Sequence, residues 1–268
     1  MKLRHLLSII AVGGAALGNP VQSRAADATP TTTNHWQSSI AAGATLTRGN
    51  SETFLGTLSG ATGKKWDQNE IALGADMAYG TTTTETRTNN NTPPPLHGTA
   101  KRDDTTAETI HGFGQYNRLF NERLYGLGRI DALHDGVADI DYRLTFSVGA
   151  GYYFIKSKET QLSAEAGPGY IVERLGGDDK SFATLRLGEK FNQVLSDRSR
   201  LWETAEILPQ VDDFKNYIVN FEIGVEADLN SSKSMSLRVY LDDTYNNVPA
   251  AGRKKNDLKL VAAVAYKF

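Results

Sequence analysis

Apolar and polar residues alternate along most of this chain. In the first clear stretch the even positions are Trp36, Ser38, Ile40, Ala42, Ala44 and Leu46. The same period of two runs through Ile71/Leu73/Ala75/Met77/Tyr79, Tyr142/Leu144/Phe146/Val148/Ala150/Tyr152/Phe154 and Tyr217/Val219/Phe221/Ile223/Val225/Ala227. Successive side chains of a strand point to opposite faces, so each stretch predicts a strand with one apolar face. Glycines recur inside the stretches (Gly43, Gly74, Gly112, Gly149, Gly188, Gly224). Each would cost about 1 kcal/mol in a helix interior, which argues against helices. About twelve strands are predicted, over 36–48, 53–66, 70–83, 104–119, 123–134, 142–155, 161–174, 181–194, 200–210, 216–229, 234–246 and 256–268. The alternation is blurred in 104–119, 123–134 and 200–210, as bulges would blur it.

The connections carry a second pattern. With the N-terminus in the periplasm, alternate connections are short and polar: 66–70, 120–123, 156–160, 195–199 and 230–234. The others (48–52, 84–103, 135–141, 175–180, 211–215 and 247–256) are mostly longer and more charged. Short turns on one side and longer loops on the other are the asymmetry of bacterial outer-membrane barrels. The expected fold is therefore all-β, an antiparallel transmembrane β-barrel of about 12 strands. The chain ends on an alternating strand with Leu258, Leu260, Ala262, Val264, Tyr266 and Phe268 on one parity. In a barrel this last strand pairs with the first.

The other parity tells what faces inward. Between 216 and 229 it reads Ile218, Asn220, Glu222, Gly224, Glu226, Asp228. A charge on the lipid face at the bilayer midplane costs roughly 2–4 kcal/mol, so this face belongs to the lumen. The same reasoning places Glu165, Arg186, Lys190, Arg238 and Lys259 inside, with Glu222 and Glu226. These charges either pair and fill the lumen or line a pore. Aromatic residues fall in two bands about ten residues apart. Trp36, Trp66, Phe120, Phe154, Trp202 and Phe268 lie at the periplasmic ends, and Phe54, Tyr79, Tyr142, Tyr170, Phe182 and Tyr245 near the opposite ends. Two such bands match the two interfaces of a bilayer.

The N-terminus adds an address. Lys2 and Arg4 precede the apolar run Leu6–Leu17, and Ser23-Arg24-Ala25 supplies small residues at a cleavage site. Residues 1–25 read as a signal peptide, 26–35 as a Thr-rich periplasmic lead-in and 36–268 as the barrel. The 268 residues contain no cysteine, which removes disulfides, thiolate metal sites and a cysteine nucleophile. With 29 Lys+Arg against 31 Asp+Glu the net charge is −2, which leaves no electrostatic footprint for nucleic acid.

A search for chemistry finds little. A protease of the outer-membrane type needs a His-Asp dyad and acidic pairs at the extracellular rim. His134-Asp135, Asp139, Asp141 and Asp103-Asp104 supply the residue types without a recognisable motif. A phospholipase reading fails because His111 is followed by Gly112-Phe113 and not by a serine two positions on. Gly126-Leu-Gly128 and Gly149-Ala-Gly151 read as strand glycines, not a nucleotide fingerprint. The acidic loops 176–179 and 211–213 read as solvated turns, as does Arg253-Lys254-Lys255, with calcium or lipopolysaccharide phosphate as alternatives. No catalytic residue, cofactor or metal is expected.

Several short motifs in order resemble a bacterial outer-membrane β-barrel family of unknown function described as salt-induced outer-membrane proteins. They are Gly49-Asn-Ser-Glu-Thr53, Arg186-Leu-Gly-Glu189 with Leu195-Ser-Asp197, Glu206-Ile-Leu-Pro209, and Asn216-Tyr217 leading to Glu222. Tyr245, Pro249, Lys254-Lys255 with Asp257, and the closing Tyr266-Lys-Phe268 complete the set. The stretch 84–103 with Pro93-Pro-Pro95 looks like an insertion relative to that pattern. The resemblance implies an outer-membrane location and a link to osmotic or salt stress. It brings no catalytic residues. Together with the polar parity it leads to a monomeric, narrow, porin-like channel as the expected function. A closed structural or adhesion barrel whose loops bind a partner or lipopolysaccharide is the alternative, and a hydrolase a minor one. Expected partners are outer-membrane lipids and lipopolysaccharide, and the barrel-assembly machinery through the C-terminal strand.

Overall fold

A computed structural model describes residues 35–47, 51–89 and 97–268, with side chains described for all of these except Ser51 and residues 85–100. The expected signal peptide and all of the lead-in but His35 lie outside the described residues, as do 48–50 of the first loop. The described chain forms twelve strands: β1 (Gln37–Thr47), β2 (Ser51–Trp66), β3 (Asn69–Asn89), β4 (His97–Leu119), β5 (Leu124–Asp135), β6 (Ile140–Lys156), β7 (Thr160–Leu175), β8 (Asp178–Ser196), β9 (Ser199–Pro209), β10 (Tyr217–Asp228), β11 (Met235–Asn246) and β12 (Asn256–Lys267).

Each strand pairs antiparallel with its sequence neighbours, and β1 pairs with β12 to close the barrel. That closing register runs from Ser39 opposite Lys267 to Gly43 opposite Ala263. Ser38 and Phe268 extend it, each amide donating to the other's carbonyl at 3.1 and 3.0 Å. Closure joins the first and last strands and leaves the wall without an open seam, the condition a sheet must meet in hydrocarbon.

Local chemistry fixes the turns. Gly176 and Gly177, both at positive φ (61° and 82°), join β7 to β8 in two residues. A two-residue hairpin with both central residues left-handed is where glycine belongs. This outer connection is thus shorter than the 175–180 loop expected. The 84–103 stretch also differs. Thr84 through Asn89 pair in register with Arg102 through His97, so these residues continue the β3–β4 hairpin, while 90–96 lie outside the described residues. A run of β-branched threonines needs no lipid to remain extended.

The outer face is apolar. Leu46 and Leu260 are each 70% exposed, and Ile110, Val148, Leu187 and Val264 stand out beside them. The inner face is buried and mixed: Ile171, Ser236 and Ala265 are fully covered, as nearly are His111 and Glu226. An apolar exterior around a polar interior, closed and antiparallel, is a membrane-spanning β-barrel, and its membrane is the outer membrane. One outer patch departs from this rule. Glu189 on β8 and Glu203 on β9 stand on the outward parity as diagonal neighbours, since Glu189 faces Ala205 and Phe191 faces Glu203.

The aromatic residues are distributed as follows. Trp36, Phe120, Phe154 and Phe268 are exposed beside the periplasmic turns or the chain ends. Trp66 is half-buried, with the Lys64 ammonium 5.7 Å from its ring centre. Trp202 is a correction. It lies inside the barrel, 4% exposed, where its indole N–H donates to Glu222 Oε1 at 2.5 Å. A buried indole needs an acceptor, and Glu222 provides one that the lipid face lacks. Gly224 makes the space: a Cβ there would sit 2.3 Å from the Trp202 ring. Phe182 is a second correction, packed inward against Ile171, Leu208 and Ile218.

Candidate functional site: the charged lumen and its extracellular mouth

The inward parity of neighbouring strands brings ionised side chains from distant parts of the chain into one network. At its centre stands Glu165 on β7. Its Oε1 accepts from Gln115 at 3.0 Å and from the Tyr125 hydroxyl at 2.9 Å, and its Oε2 from Arg186 Nη1 at 2.7 Å. Lys190 Nζ lies 3.5 Å from the same carboxylate. Arg186 on β8 uses its Nε for Glu206 on β9, at 2.5 Å. Glu206 then accepts from Asn220, which accepts from Thr244. On the other side Gln115 accepts from Arg129, and Arg129 forks onto both oxygens of Asp131 at 2.9 and 2.7 Å. The Arg129 guanidinium also stacks 4.5 Å from the Phe113 ring centre. A continuous polar chain thus crosses the lumen from β5 to β11.

Asp131 leads to a buried Asp–His–Asp group. His111 on β4 sets Nδ1 3.0 Å from Asp76 and Nε2 3.4 Å from Asp131, and is itself 1% exposed. Both ring nitrogens thus face a carboxylate, and both can donate at once only in the imidazolium form. With Arg129 also on Asp131, the geometry of the group serves charge pairing. The dyad considered in the sequence does not assemble. His134 faces outward, its Nδ1 2.9 Å from the Asp141 carbonyl, while Asp135 turns inward and is buried.

A second cluster sits near the periplasmic end, beside the closing seam. Glu226 on β10 meets three cations: Arg200 Nη2 at 2.7 Å, Arg238 Nε at 3.0 Å and Lys267 Nζ at 2.5 Å. Arg238 reaches on toward Ser39 on β1, Nη2 to Oγ 3.5 Å. One carboxylate therefore ties together strands β9 to β12, and through Arg238 the cluster reaches β1.

The mouth at the other end, expected from the sequence to be the extracellular one, is crossed by the loop between β11 and β12. Val248 N donates to Asn246 Oδ1, Asn247 Nδ2 to the Lys215 carbonyl, and Lys255 Nζ to Asn247 Oδ1. Held this way, the loop drops Ala250 against Leu133, Ile140 and Leu175 on the far wall. Beneath it lies a small, half-open cavity between β5–β6 and β11–β12. Arg143 lines this cavity, and its Nε donates to Glu173 at 2.6 Å. Lower on the β12 wall, Lys259 Nζ has no hydrogen-bond partner and is compensated by the charges of Asp242, Asp135, Asp76 and Asp257.

The structure therefore places Glu165, Arg186 and Lys190 together in the central network, and Glu226 with Arg238 at the seam. Glu222 lies apart under Trp202, and Lys259 under the mouth. Sequence reasoning passed over Asp76, Arg129, Asp131, Arg143 and Glu173, and named His111 and Glu206 without placing them in the lumen. Parity alone finds Asp76, Arg143 and Glu173, which oppose clean apolar faces on β3, β6 and β7. It misses His111, Arg129 and Asp131 because the inward face of β4 and β5 also carries Phe113, Tyr125 and Leu127.

Comparison with known proteins places the chain as follows. No curated protein matches its sequence. Among solved structures, the NanC porin is 7% identical, with 86% of this chain and 98% of that chain covered and a TM-score of 0.49. An outer-membrane channel of Pseudomonas putida F1 is 9% identical, with 92% and 100% covered and a TM-score of 0.49. The translocator domain of the autotransporter NalP from Neisseria meningitidis is 16% identical, with 87% of each chain covered and a TM-score of 0.41. The profile of the family described as protein of unknown function, DUF481, matches residues 40–268, and the chain belongs to that family.

Proposed function

We propose that this barrel is a narrow, porin-like channel whose lumen is stoppered at rest by paired side chains. The observation that carries the reading is the ionised network from Asp131 to Glu206 in the barrel's middle. A lumen that only had to be filled would be as stable, or more so, with apolar packing, because desolvating ions offsets most of their attraction. Charged side chains that can exchange partners leave a hydrated path when they part. Both signs alternate along this path, so strong selection for one sign of ion is not expected.

The refolded full chain in a planar bilayer is expected to show small, infrequent openings. Glu165→Gln, which releases Arg186 and Lys190 from their shared carboxylate, should make them larger or more frequent. No current above the bare bilayer in either protein would sink the channel reading.

That outcome would favour the second reading, a closed structural or adhesion barrel whose outer loops meet lipopolysaccharide or another partner. The loop folded across the mouth is the observation on its side. The physiological setting we propose is osmotic or salt stress, on the resemblance to salt-induced outer-membrane proteins. A deletion strain is expected to grow more slowly than its parent in raised NaCl, and equal growth would remove the association.

A further inference from the structure

We infer that the cavity under the β11–β12 loop is a binding site for the carboxylate of a small solute, with Arg143 as its anchor. Arg143 is 7% exposed, and its guanidinium is incompletely paired. Nε is paired with Glu173, whereas the buried Nη2 has no hydrogen-bond partner. A charged donor left unmet inside a protein is costly, and it lies in the wall of a cavity. A guanidinium edge is matched by the two oxygens of a carboxylate better than by a water.

The rest of the lining sets the solute's character. Leu133, Ile140 and Ala250 give one apolar side, which suits a short hydrocarbon body. Thr244 and Asn246 offer polar contacts from β11, and Arg253 and Lys254 add positive charge from the loop. Asp135 and Asp257 also face the space, with Lys259 near them. Those two carboxylates admit either of two carriers of the same group: a plain short-chain acid, or an acid that also bears an ammonium to meet them. The size of the cavity restricts both to small molecules. The site goes beyond the channel reading and does not depend on it, because occupancy is read by binding and not by current.

The test uses the full chain refolded in detergent and titrated calorimetrically with butyrate, 4-aminobutyrate and inorganic phosphate. Saturable 1:1 binding of at least one of the two carboxylates is expected. Tighter binding of 4-aminobutyrate assigns a role to Asp135 and Asp257, and equal or tighter binding of butyrate assigns the plain acid. Arg143→Gln and Arg143→Lys are each expected to weaken binding about tenfold or more, since neither restores the Nη2 donor edge. Ala138→Leu narrows the cavity from the β5–β6 turn without touching the Arg143–Glu173 pair, and should also abolish binding. It keeps the test alive if the arginine variants do not fold, which their heat-shifted gel migration will show. The inference is overturned if neither carboxylate binds the wild-type chain saturably. It is equally overturned if binding survives unchanged in the folded variants, or if only phosphate binds.

Discussion

Replacing Arg186 with leucine is expected to destabilise the barrel by about 3–5 kcal/mol, the range for breaking a buried ion pair by removing one partner. Arg186 lies between two glutamates, with Nη1 on Glu165 and Nε on Glu206. Its removal leaves both carboxylates buried with too few cations. Lys190 remains near Glu165 at 3.5 Å, and Asn220 still donates to Glu206. These contacts soften the loss without replacing the guanidinium. The measurement is urea unfolding of the refolded protein in detergent, followed by tryptophan fluorescence. A triple variant with leucine at 165, 186 and 206 is the control, because it removes the charges together. It should recover most of the loss and should also stop any conductance. A loss below about 1 kcal/mol in the single variant would mean that water already solvates these glutamates, and the lumen would then be open, not stoppered.

The second large effect is expected at Glu226. Glu226→Leu strands Arg200, Arg238 and Lys267 around a missing carboxylate, in a side-chain position that is 1% exposed. Lys267 retains Asp228 at 3.0 Å. Arg238 retains only its long contact to Ser39 among the hydrogen bonds on this side. The expected loss is again about 3–5 kcal/mol, but its signature differs. The residues left unmet lie on β11 and β12 and reach β1, so the seam should suffer first. Folding into vesicles should yield a larger fraction of unshifted, heat-insensitive protein on a cold gel, with slower conversion to the compact form. Glu222→Leu is the comparison, since Glu222 accepts from the Trp202 indole and does not bridge the three cations of Glu226. Equal folding rates for the two variants would contradict a special role for Glu226 in closure.

Much of this architecture was legible before any coordinates. Period-two alternation gave the strand count, because the outward face of β1, β3, β6 and β10 is apolar with few interruptions. It located the lumen charges wherever the opposite parity was polar, as at Glu222 and Glu226. It failed where in and out do not differ in polarity. On β4 the inward face mixes His111 and Gln115 with Phe113 and Leu119. There, and between Leu133 and Asp135 on β5, the register also shifts by a residue. A shift of one residue exchanges the two faces, and no local composition announces it. Trp202 was misread for a related reason. A tryptophan near a strand end suits an interface, and only the paired β10 strand reveals the glycine and glutamate that draw it inside. The pairings themselves (Glu165 with Arg186, Glu226 with Lys267) depend on register between strands and were never available from one strand at a time.

The continued β3–β4 hairpin carries a thermodynamic consequence. Glu85 through Asn89 pair with Lys101 through His97 beyond the last described β2 partner, Ser51 opposite Thr84, so among the described residues this stretch is a two-stranded ribbon. Two-stranded ribbons are marginal in water, whereas every strand within the wall has a neighbour on both sides. The ribbon and the wall are therefore separate cooperative units, and the ribbon melts without the barrel. A single free energy of unfolding describes the wall. It does not describe the segment that an approaching molecule meets first.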